Sequence, residues 1–281
     1  MRVTIRDLKR MKSRGERVPM LTAYDYTSAL LVEAAGVPLI LVGDSLGQWV
    51  LGYGTTLPVT MDDMVHHVKA VVRGTETAHV VADMPFMSYQ AEPAEAVRNA
   101  GRMLQEGGAQ SVKLEGGVSL VETVGRLVTA GIPVMGHIGF TPQSYNQIGG
   151  YRVQGRFPKA AASLIDDAVA LESAGCYAVV LEMVPAQLAS IITERLSIPT
   201  IGIASGVHCD GQVQVFHDMF GLIEDFVPKH ARRYADLGAI IKSAVSEYAA
   251  DVRSASYPSD EESHQMEAET LEKLTADLAG R

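Results

Sequence analysis

The sequence has little cysteine, no long apolar stretch and no secretory signal. Its two cysteines, Cys176 and Cys209, are too few for a disulfide framework and lack the close spacing of a zinc site. No stretch approaches the roughly 18 uninterrupted apolar residues that a membrane helix requires. The basic N-terminus contains no apolar central segment. We therefore expect free thiols in a soluble, cytoplasmic protein.

Basic residues are also scarce. The chain has 24 Lys and Arg against 33 Asp and Glu, a formal net charge of −9, and contains no basic run. Because nucleic-acid-binding surfaces gather Lys and Arg on one face, we expect neither nucleic acid nor a membrane as partner. The 47% hydrophobic content is enough to bury the core of one large domain. A small-molecule ligand is the expected partner.

Short β-branched runs alternate with longer segments of helical period, a pattern typical of β/α units and a parallel sheet. Six segments with apolar residues three and four apart predict helices over 26–36, 61–74, 93–108, 119–131, 157–175 and 185–196. Eight runs predict strands over 18–24, 38–43, 79–85, 111–116, 133–139, 178–184, 199–205 and 212–218. No GxGxxG follows the first strand, which disfavours a dinucleotide-binding fold. The sequence therefore predicts an α/β fold, a (β/α)₈ barrel.

The predicted barrel has one irregular unit and a distinct C-terminal end. Strands seven and eight follow each other without room for a full helix. Residues 234–254 predict a terminal helix, and the segment after it is polar and acidic. We expect residues 1–254 to form the barrel domain with its terminal helix. Residues 255–281 are expected to form an exposed tail with a further short helix.

Ionisable residues lie late in five of the predicted strands or directly after them. Strands buried on both faces are otherwise nearly continuous apolar runs, so this set departs from the expected composition. In a barrel such strand ends face a common mouth, where catalytic residues gather. Taken singly, each has a structural alternative, such as a turn residue, a hydrogen-bonded core histidine or an alternating ion pair. The set consists of Asp44, Asp83, Lys113, Glu115, His137 and Glu182.

This set predicts a particular chemistry. Two carboxylates at neighbouring strand ends, Asp44 and Asp83, suit Mg²⁺, which prefers oxygen ligands and keeps several waters. A 2-oxo acid can chelate such a metal, which then stabilises the enolate left when a proton leaves the adjacent carbon. Glu182 is the candidate base for that proton. Lys113 supplies positive charge for an anionic substrate.

Two further histidine groups carry no metal prediction. His66 and His67 lie within a helical pattern and are expected at the helix surface or in packing. His208, Cys209 and Asp210 are consecutive, so their side chains point in different directions. We expect these three residues to lie in a loop.

Several longer motifs resemble one known family. "GDSLG", "VADMPFMSYQ", "VKLEGG", "GHIGFTPQ" and "CDGQVQV" occur in the order found in ketopantoate hydroxymethyltransferases, and the resemblance extends from about residue 4 to residue 260. It implies a single-domain barrel of the phosphoenolpyruvate mutase and isocitrate lyase type. It further implies hydroxymethyl transfer from 5,10-methylenetetrahydrofolate to 3-methyl-2-oxobutanoate, the first step of pantothenate synthesis, with Mg²⁺. The family also implies a homo-oligomer, typically a decamer.

The resemblance implies a role for each matched residue. Asp44 and Asp83 match metal ligands, and Glu115 matches an acid that contacts the metal through water. Glu182 matches the proposed general base. The substrate contacts implied are Ser45, Asp83, Lys113 and His137, with His137 near the transferred hydroxymethyl group.

The chain also departs from the family pattern beside the expected pocket. Gln48 and Trp49 follow "GDSLG" where small or aliphatic residues are usual, and Tyr53 and Gly54 are unusual a few residues later. The segment "GIASG" at 202–206 replaces the more frequent "GIGAG", which adds bulk there. These changes bear on folate fit and substrate size.

Two alternatives remain open from the residues. One is another Mg²⁺-dependent 2-oxo acid carbon–carbon bond enzyme of the same superfamily, although the "KKCGH"-like block of its lyases does not occur here. The other is a non-catalytic paralogue that binds a 2-oxo acid. Oxo-acid binding without proton exchange would distinguish the second alternative.

Overall fold

The computed structural model describes residues 1–223, 228–229 and 231–280. They divide into two compact units. The first contains Met1–Met219 and holds all eight strands. The second includes residues 233–280, with the last two helices.

Eight parallel strands close into a barrel in chain order, and β8 pairs with β1. The register aligns residues at the carboxyl ends, because Asp83 pairs with Lys113, Glu115 with His137, and Gly139 with Glu182. The predicted (β/α)₈ barrel is confirmed. The strands are β1 Val18–Thr22, β2 Leu39–Val42, β3 His79–Asp83, β4 Ser111–Glu115, β5 Val134–Gly139, β6 Ala178–Glu182, β7 Thr200–Ile203 and β8 Gly211–Gln214.

Helices surround the barrel and continue into the second unit. All six predicted inter-strand helices occur, whereas α1, α3, α7 and α10 were not predicted. The helices are α1 Ile5–Ser13, α2 Tyr26–Ala34, α3 Leu46–Trp49, α4 Met61–Arg73, α5 Pro93–Gln105, α6 Val121–Thr129, α7 Tyr145–Ile148, α8 Pro158–Ala174, α9 Ala186–Arg195, α10 Phe216–Met219, α11 Leu237–Ser254 and α12 Ala268–Ala279.

Local sequence explains where α4 begins, ends and packs. Thr60 caps its first turn, and the Asp63 side chain returns a hydrogen bond to the cap backbone, so two otherwise unpaired amides are satisfied. Met64, Val68 and Val71 recur at three and four positions and form its buried face. Gly74 follows its last turn. The same capping box begins α2, formed by Asp25 and Ser28.

An apolar cluster fills the barrel interior below the site. It contains residues of seven strands together with Leu8 of α1. Side chains from so many strands can meet in one cluster because the sheet closes into a barrel around them. Asp83, His137 and Glu182 each lie two positions after a cluster member on their own strand, so they project from the same face. The polar layer therefore lies directly above the apolar one. The cluster consists of Leu8, Val18, Met20, Leu39, Leu41, Val81, Met135, Tyr177, Ala178, Val180, Ile201 and Val213.

One predicted boundary is wrong, and the C-terminal division stays a prediction. The eighth strand ends at Gln214, and Phe216–Met219 is helical rather than extended. The Phe216 amide donates to Thr22 Oγ1, so the chain leaves the sheet at the top of β1. The division into a barrel of 1–254 and a tail of 255–281 stays a prediction, and α11 and α12 both lie in the second unit.

Two further features concern the thiols and the helices. Cys176 and Cys209 are free thiols in buried positions.

Across the described ranges, no helix is both long enough and apolar enough to cross a membrane.

Candidate active site

The two aspartates expected to bind metal are neighbours at the ends of β2 and β3. Asp83 Oδ2 accepts a hydrogen bond of 3.1 Å from the backbone amide of Asp44. Both residues are almost completely buried. Gly43 makes this approach possible, because a Cβ there would lie 2.7 Å from Ser45 Oγ and 3.4 Å from Asp83 Oδ2.

Lys113 supplies the positive charge of the buried layer. Its Nζ lies 2.8 Å from Asp83 Oδ1 and 3.1 Å from His137 Nδ1. Burial alone would lower the pKa of Lys113, but the charges of Asp83 and the nearby carboxylates raise it above its usual range. Lys113 is therefore an ammonium group in the resting site.

The contact with Lys113 defines the tautomer of His137. An ammonium group can only donate, so His137 Nδ1 accepts and the imidazole proton lies on Nε2. Burial and the Lys113 charge hold the pKa of His137 well below its usual value, which keeps the ring neutral. Nε2 lies 3.2 Å from Glu182 Oε2. Lys113, His137 and Glu182 thus follow one another across three adjacent strands, although His137 Nε2 makes no hydrogen bond within the described residues.

Gln143 was not predicted and connects two carboxylates. Its side-chain amide donates to Asp44 Oδ2 at 2.9 Å and to the Met84 carbonyl at 2.8 Å. Its backbone amide donates to Glu115 Oε2 at 2.9 Å. The Tyr89 hydroxyl donates to Gln143 Oε1 at 2.7 Å. Tyr89 and Gln143 lie within "DMPFMSYQ" and "GHIGFTPQ", which was the available signal for both.

The carboxylates repel one another because they share a buried volume. Burial, followed by the charge of Asp83, raises the pKa of Asp44 to about 7. Burial and the charge of Asp44 raise the pKa of Glu115 well above its usual range. Such a cluster is stabilised by a further cation.

The donor set fits Mg²⁺ better than a metal held entirely by protein. Within the described residues, no three or more His, Cys, Asp or Glu side chains are arranged to hold a metal by themselves. Mg²⁺ is commonly bound by one or two carboxylates, with waters and substrate oxygens completing its shell. The adjacent carboxylates of Asp44 and Asp83 match that requirement. Glu115 lies close enough to interact electrostatically with Asp44.

Glu182 lies at the opposite side of the mouth, at the end of β6. Its side chain remains 14% exposed, unlike the buried carboxylates. Its carbonyl accepts from the Phe140 amide at 2.8 Å. A Cβ at position 139 would lie 2.2 Å from that carbonyl, and Gly139 has φ +95°, so only glycine fits there.

Ser45 lies beside an aromatic wall. Its hydroxyl is 2.8 Å from the hydroxyl of Tyr24, a fully buried residue that sequence reasoning did not identify. The Tyr24 ring lies 5.5 Å from that of His217. Trp49, one of the departures from the family pattern, stacks against His217 with ring centres 6.4 Å apart.

An open cavity adjoins the aspartate pair. Thr56 lines this cavity and lies near Asp44, although its hydroxyl makes no hydrogen bond within the described residues. Phe140 and Tyr151 have ring centres 5.1 Å apart, and Tyr145 meets Tyr151 edge-on at 5.4 Å. The lining residues are Gln48, Gly54, Thr55, Thr56, Phe140, Pro142, Tyr145 and Tyr151. Two of the departures, Gln48 and Gly54, therefore line this cavity.

The remaining histidine predictions are confirmed. His66 and His67 lie on α4, and His67 Nδ1 is 2.5 Å from the Tyr24 carbonyl, a packing role. His208, Cys209 and Asp210 lie in the loop before β8. Asp210 bonds to Lys12 at the other end of the barrel from the predicted mouth.

Comparison with known proteins defines the family. The sequence model of ketopantoate hydroxymethyltransferase matches residues 2–260. The chain belongs to this family. It is 62% identical over 271 residues to the 3-methyl-2-oxobutanoate hydroxymethyltransferase of Chloroflexus aurantiacus, covering 96% of each chain. It is 58% identical over 274 residues to that of Dehalococcoides mccartyi, covering 98% of each chain. The predicted family and enzyme class, a hydroxymethyltransferase, are confirmed.

Solved structures support the predicted fold type. The chain superimposes on 2,3-dimethylmalate lyase, a phosphoenolpyruvate mutase and isocitrate lyase superfamily member, with a TM-score of 0.60 and 15% identity over 100% of both chains. Phosphonopyruvate hydrolase in complex with oxalate and Mg²⁺ gives a TM-score of 0.60 at 11% identity, covering 99% and 96% of the two chains. At identities this low, the superpositions show only that the fold is shared.

Proposed function

We propose that the protein transfers a hydroxymethyl group from 5,10-methylenetetrahydrofolate to 3-methyl-2-oxobutanoate, giving ketopantoate as the first step of pantothenate biosynthesis. One observation carries this proposal. A buried aspartate pair and the series Lys113, His137 and Glu182 meet at one end of the barrel. The pair suits a chelated oxo acid, and the series suits proton removal beside it.

Asp44 and Asp83 would hold Mg²⁺, with Glu115 reaching it through water. The mutual repulsion that raises the pKa of Asp44 supports this assignment, because a divalent cation would relieve it. When bound, Mg²⁺ supplies Lewis-acid polarisation of the oxo-acid oxygens.

Lys113 and Ser45 bind and orient the substrate. Lys113 compensates the negative charge of the oxo acid in an acidic protein, and its own pKa keeps it cationic. The Ser45 hydroxyl, oriented by Tyr24, can donate to a substrate oxygen. Asp83 contributes by holding the Lys113 ammonium group at 2.8 Å.

Glu182 removes the proton from C3 of 3-methyl-2-oxobutanoate. The C3–H electron pair then forms the enolate, and the proton resides on the Glu182 carboxylate. His137 Nε2 lies 3.2 Å from that carboxylate without a hydrogen bond to it, so the ring is a close neighbour of the proposed base. The enolate carbon bonds to the methylene carbon of the donor, whose two C–N bonds break. Water supplies the hydroxyl group and one proton, Glu182 returns the proton taken from C3, and the two protons go to the two nitrogens of the departing tetrahydrofolate. In this proposal, His137 would contact the new hydroxymethyl group, the role that the family resemblance implies for it.

The aromatic cavity is the proposed position of the reduced folate. Tyr145 and Tyr151 offer ring faces and edges for a flat heterocycle. Thr56 brings the cavity next to Asp44, so a donor held there would lie near the substrate carbon. Gln48 and Gly54 would then influence donor fit.

Location and assembly are proposed on the basis of family membership. We expect a cytoplasmic homo-oligomer, a decamer, that binds small molecules only. In the second unit, α11 exposes apolar residues on one face, which suits coverage by another copy. These residues are Ile241, Val245, Tyr248 and Val252.

A product assay tests the proposed reaction. The protein is incubated with 3-methyl-2-oxobutanoate, Mg²⁺ and 5,10-methylenetetrahydrofolate, and ketopantoate is measured by mass spectrometry. We expect product only when all three are present, and none when 5-methyltetrahydrofolate replaces the donor. Turnover of a different electrophile, with no ketopantoate formed, would favour another superfamily activity. Oxo-acid binding without any reaction would favour a binding paralogue.

A further inference from the structure

Backbone strain concentrates at the carboxyl ends of the strands. Three non-glycine residues there have left-handed φ angles: Met87 at 63°, Met183 at 50° and Ala204 at 55°. Side chains are disfavoured in this region, so surrounding contacts must hold these residues in place. Met183 directly follows Glu182, and Ala204 directly follows β7. The two strained positions lie on adjacent strands.

The Ser205 hydroxyl connects these two positions. It donates to the Leu181 carbonyl at 2.7 Å and accepts from the Val184 amide at 3.1 Å. The two partners lie on either side of Glu182 and Met183 in the chain. Ser205 is only 1% exposed, so water cannot replace these bonds. The hydroxyl therefore spans the corner that carries the candidate base.

Backbone contacts hold the rest of this corner. The Met183 amide donates to the Ile203 carbonyl at 2.9 Å, and the Gln154 amide donates to the Met183 carbonyl at 2.9 Å. The Glu182 carbonyl is held by the Phe140 amide. The Ser205 hydroxyl is the side-chain member of this set.

We propose that Ser205 is a positioning residue for the general base. Its hydroxyl holds the strained corner closed and so keeps the Glu182 carboxylate within reach of His137 and the substrate. This inference rests on the proposed function, because it concerns the base of that reaction. The sequence alone indicated only added bulk at Ala204 and Ser205.

The physical reason is a coupling between strain and hydrogen bonding. Without the hydroxyl, the buried Val184 amide loses its acceptor, and the corner can relax toward an unstrained φ. A change of φ at Met183 redirects the chain beside Glu182. A displacement of about 1 Å in a catalytic group can slow a reaction roughly 100-fold, and a partial shift costs less. Replacing Ala204 with glycine removes one source of strain and should reduce the need for the hydroxyl.

Hydrogen–deuterium exchange at C3 of 3-methyl-2-oxobutanoate tests the inference. The exchange kcat and KM are measured by NMR in D₂O with Mg²⁺ for the wild type, Ser205→Ala and Ala204→Gly/Ser205→Ala. We expect Ser205→Ala to lower kcat about tenfold with KM unchanged, since binding groups are untouched. The double variant should recover most of the loss.

A matched control separates positioning from stability. Thr200 lies at the opposite end of β7, and its buried hydroxyl is 2.7 Å from that of Thr193. Thr200→Val should destabilise the fold to a similar degree while leaving the exchange kcat unchanged. A loss of kcat that simply follows thermal stability across both variants would overturn the inference.

The outcomes distinguish the two proposals. If the wild type shows no exchange, the proposed function fails and this inference fails with it. If the wild type exchanges and Ser205→Ala matches it, only the inference is wrong. Should Ser205→Ala not fold, Ser205→Cys retains a weaker donor and acceptor at this atom, and it should lower kcat by a smaller factor. An unchanged kcat in that variant would also contradict the inference.

Discussion

At the scale of single residues, the site depends on the positions of the Lys113 ammonium group and the Glu182 carboxylate, with the His137 ring between them. Lys113 fixes the tautomer of His137, and His137 in turn faces Glu182. The sequence predicted the ionisable members, because charged residues are conspicuous in buried strands. It did not predict Tyr24, Tyr89 or Gln143. Uncharged polar residues are common, and their roles here come from partners that are distant in sequence.

Glu182→Gln tests the base directly. The amide cannot accept the C3 proton but occupies the same volume, so we expect exchange to slow by roughly 100-fold or more. Mg²⁺ and oxo-acid affinity, measured by calorimetry, should stay near wild type. Glu194→Gln on α9 is the control, because that exposed carboxylate accepts a hydrogen bond from Ser190 on the helix exterior. Normal exchange in Glu182→Gln would assign the base to another group.

Asp44→Asn tests the metal assignment. The variant loses one of two mutually repelling carboxylates, so without metal its free energy of unfolding should rise, on the order of 1 kcal/mol. Thermal unfolding in EDTA and in Mg²⁺ measures both effects. The increase in Tm produced by Mg²⁺ in the wild type should disappear in the variant. Asp62→Asn, an exposed aspartate paired with Arg102, should retain it. An equal Mg²⁺ effect in Asp44→Asn would remove Asp44 from the ligand set.

At the scale of elements, periodicity predicted the barrel strands and the main helices. Strands and long amphipathic helices have repeating patterns that survive without tertiary information. The short helices α3 and α7, of four residues each, carry no such pattern. The error at Phe216 has a tertiary cause, because its amide bonds to Thr22 on β1, a partner 194 residues away. Sequence pattern cannot specify such a boundary.

The strands are also joined at their amino ends, where pH dependence is expected. His79 on β3 lies 3.1 Å from the Val3 carbonyl and 2.9 Å from Ser111 Oγ on β4, which contacts the Tyr177 hydroxyl. Burial lowers the pKa of His79 from 6.5 to about 4. The unfolded chain therefore binds this proton first as the pH falls.

The sign of the effect follows from that difference. The contribution of His79 is fully present above pH 6.5 and is lost as the pH falls toward 4, for a total of about 3 kcal/mol. Denaturant unfolding at several pH values should show this slope in the wild type and a flatter one in His79→Gln. His66→Gln, on the exposed side of α4, should keep the wild-type slope. Equal slopes in wild type and His79→Gln would contradict the prediction.

At the scale of the whole molecule, the proposal concerns how copies of this chain assemble. The family resemblance implied a decamer, whereas composition and periodicity carry no signal for assembly. The exposed apolar face of α11 is consistent with burial by another copy.

Mass photometry provides the test. We expect the wild type to have the mass of ten copies of the 30.1 kDa chain, about 300 kDa. Val245→Glu, in the middle of the apolar face of α11, should shift the distribution toward smaller species. Glu247→Gln, on the same helix but outside that face, should not. A wild type that remains at the mass of one chain would exclude the proposed assembly.

In the proposed reaction, the barrel mouth removes a proton from a metal-chelated 2-oxo acid. The most direct measurement follows the C3 proton of 3-methyl-2-oxobutanoate by NMR in D₂O, with protein and Mg²⁺ but without folate. The proposed site predicts loss of this signal at a rate that depends on Mg²⁺, and no loss when EDTA is added. Retention of the C3 proton in the presence of protein and saturating Mg²⁺ would contradict the proposed proton removal.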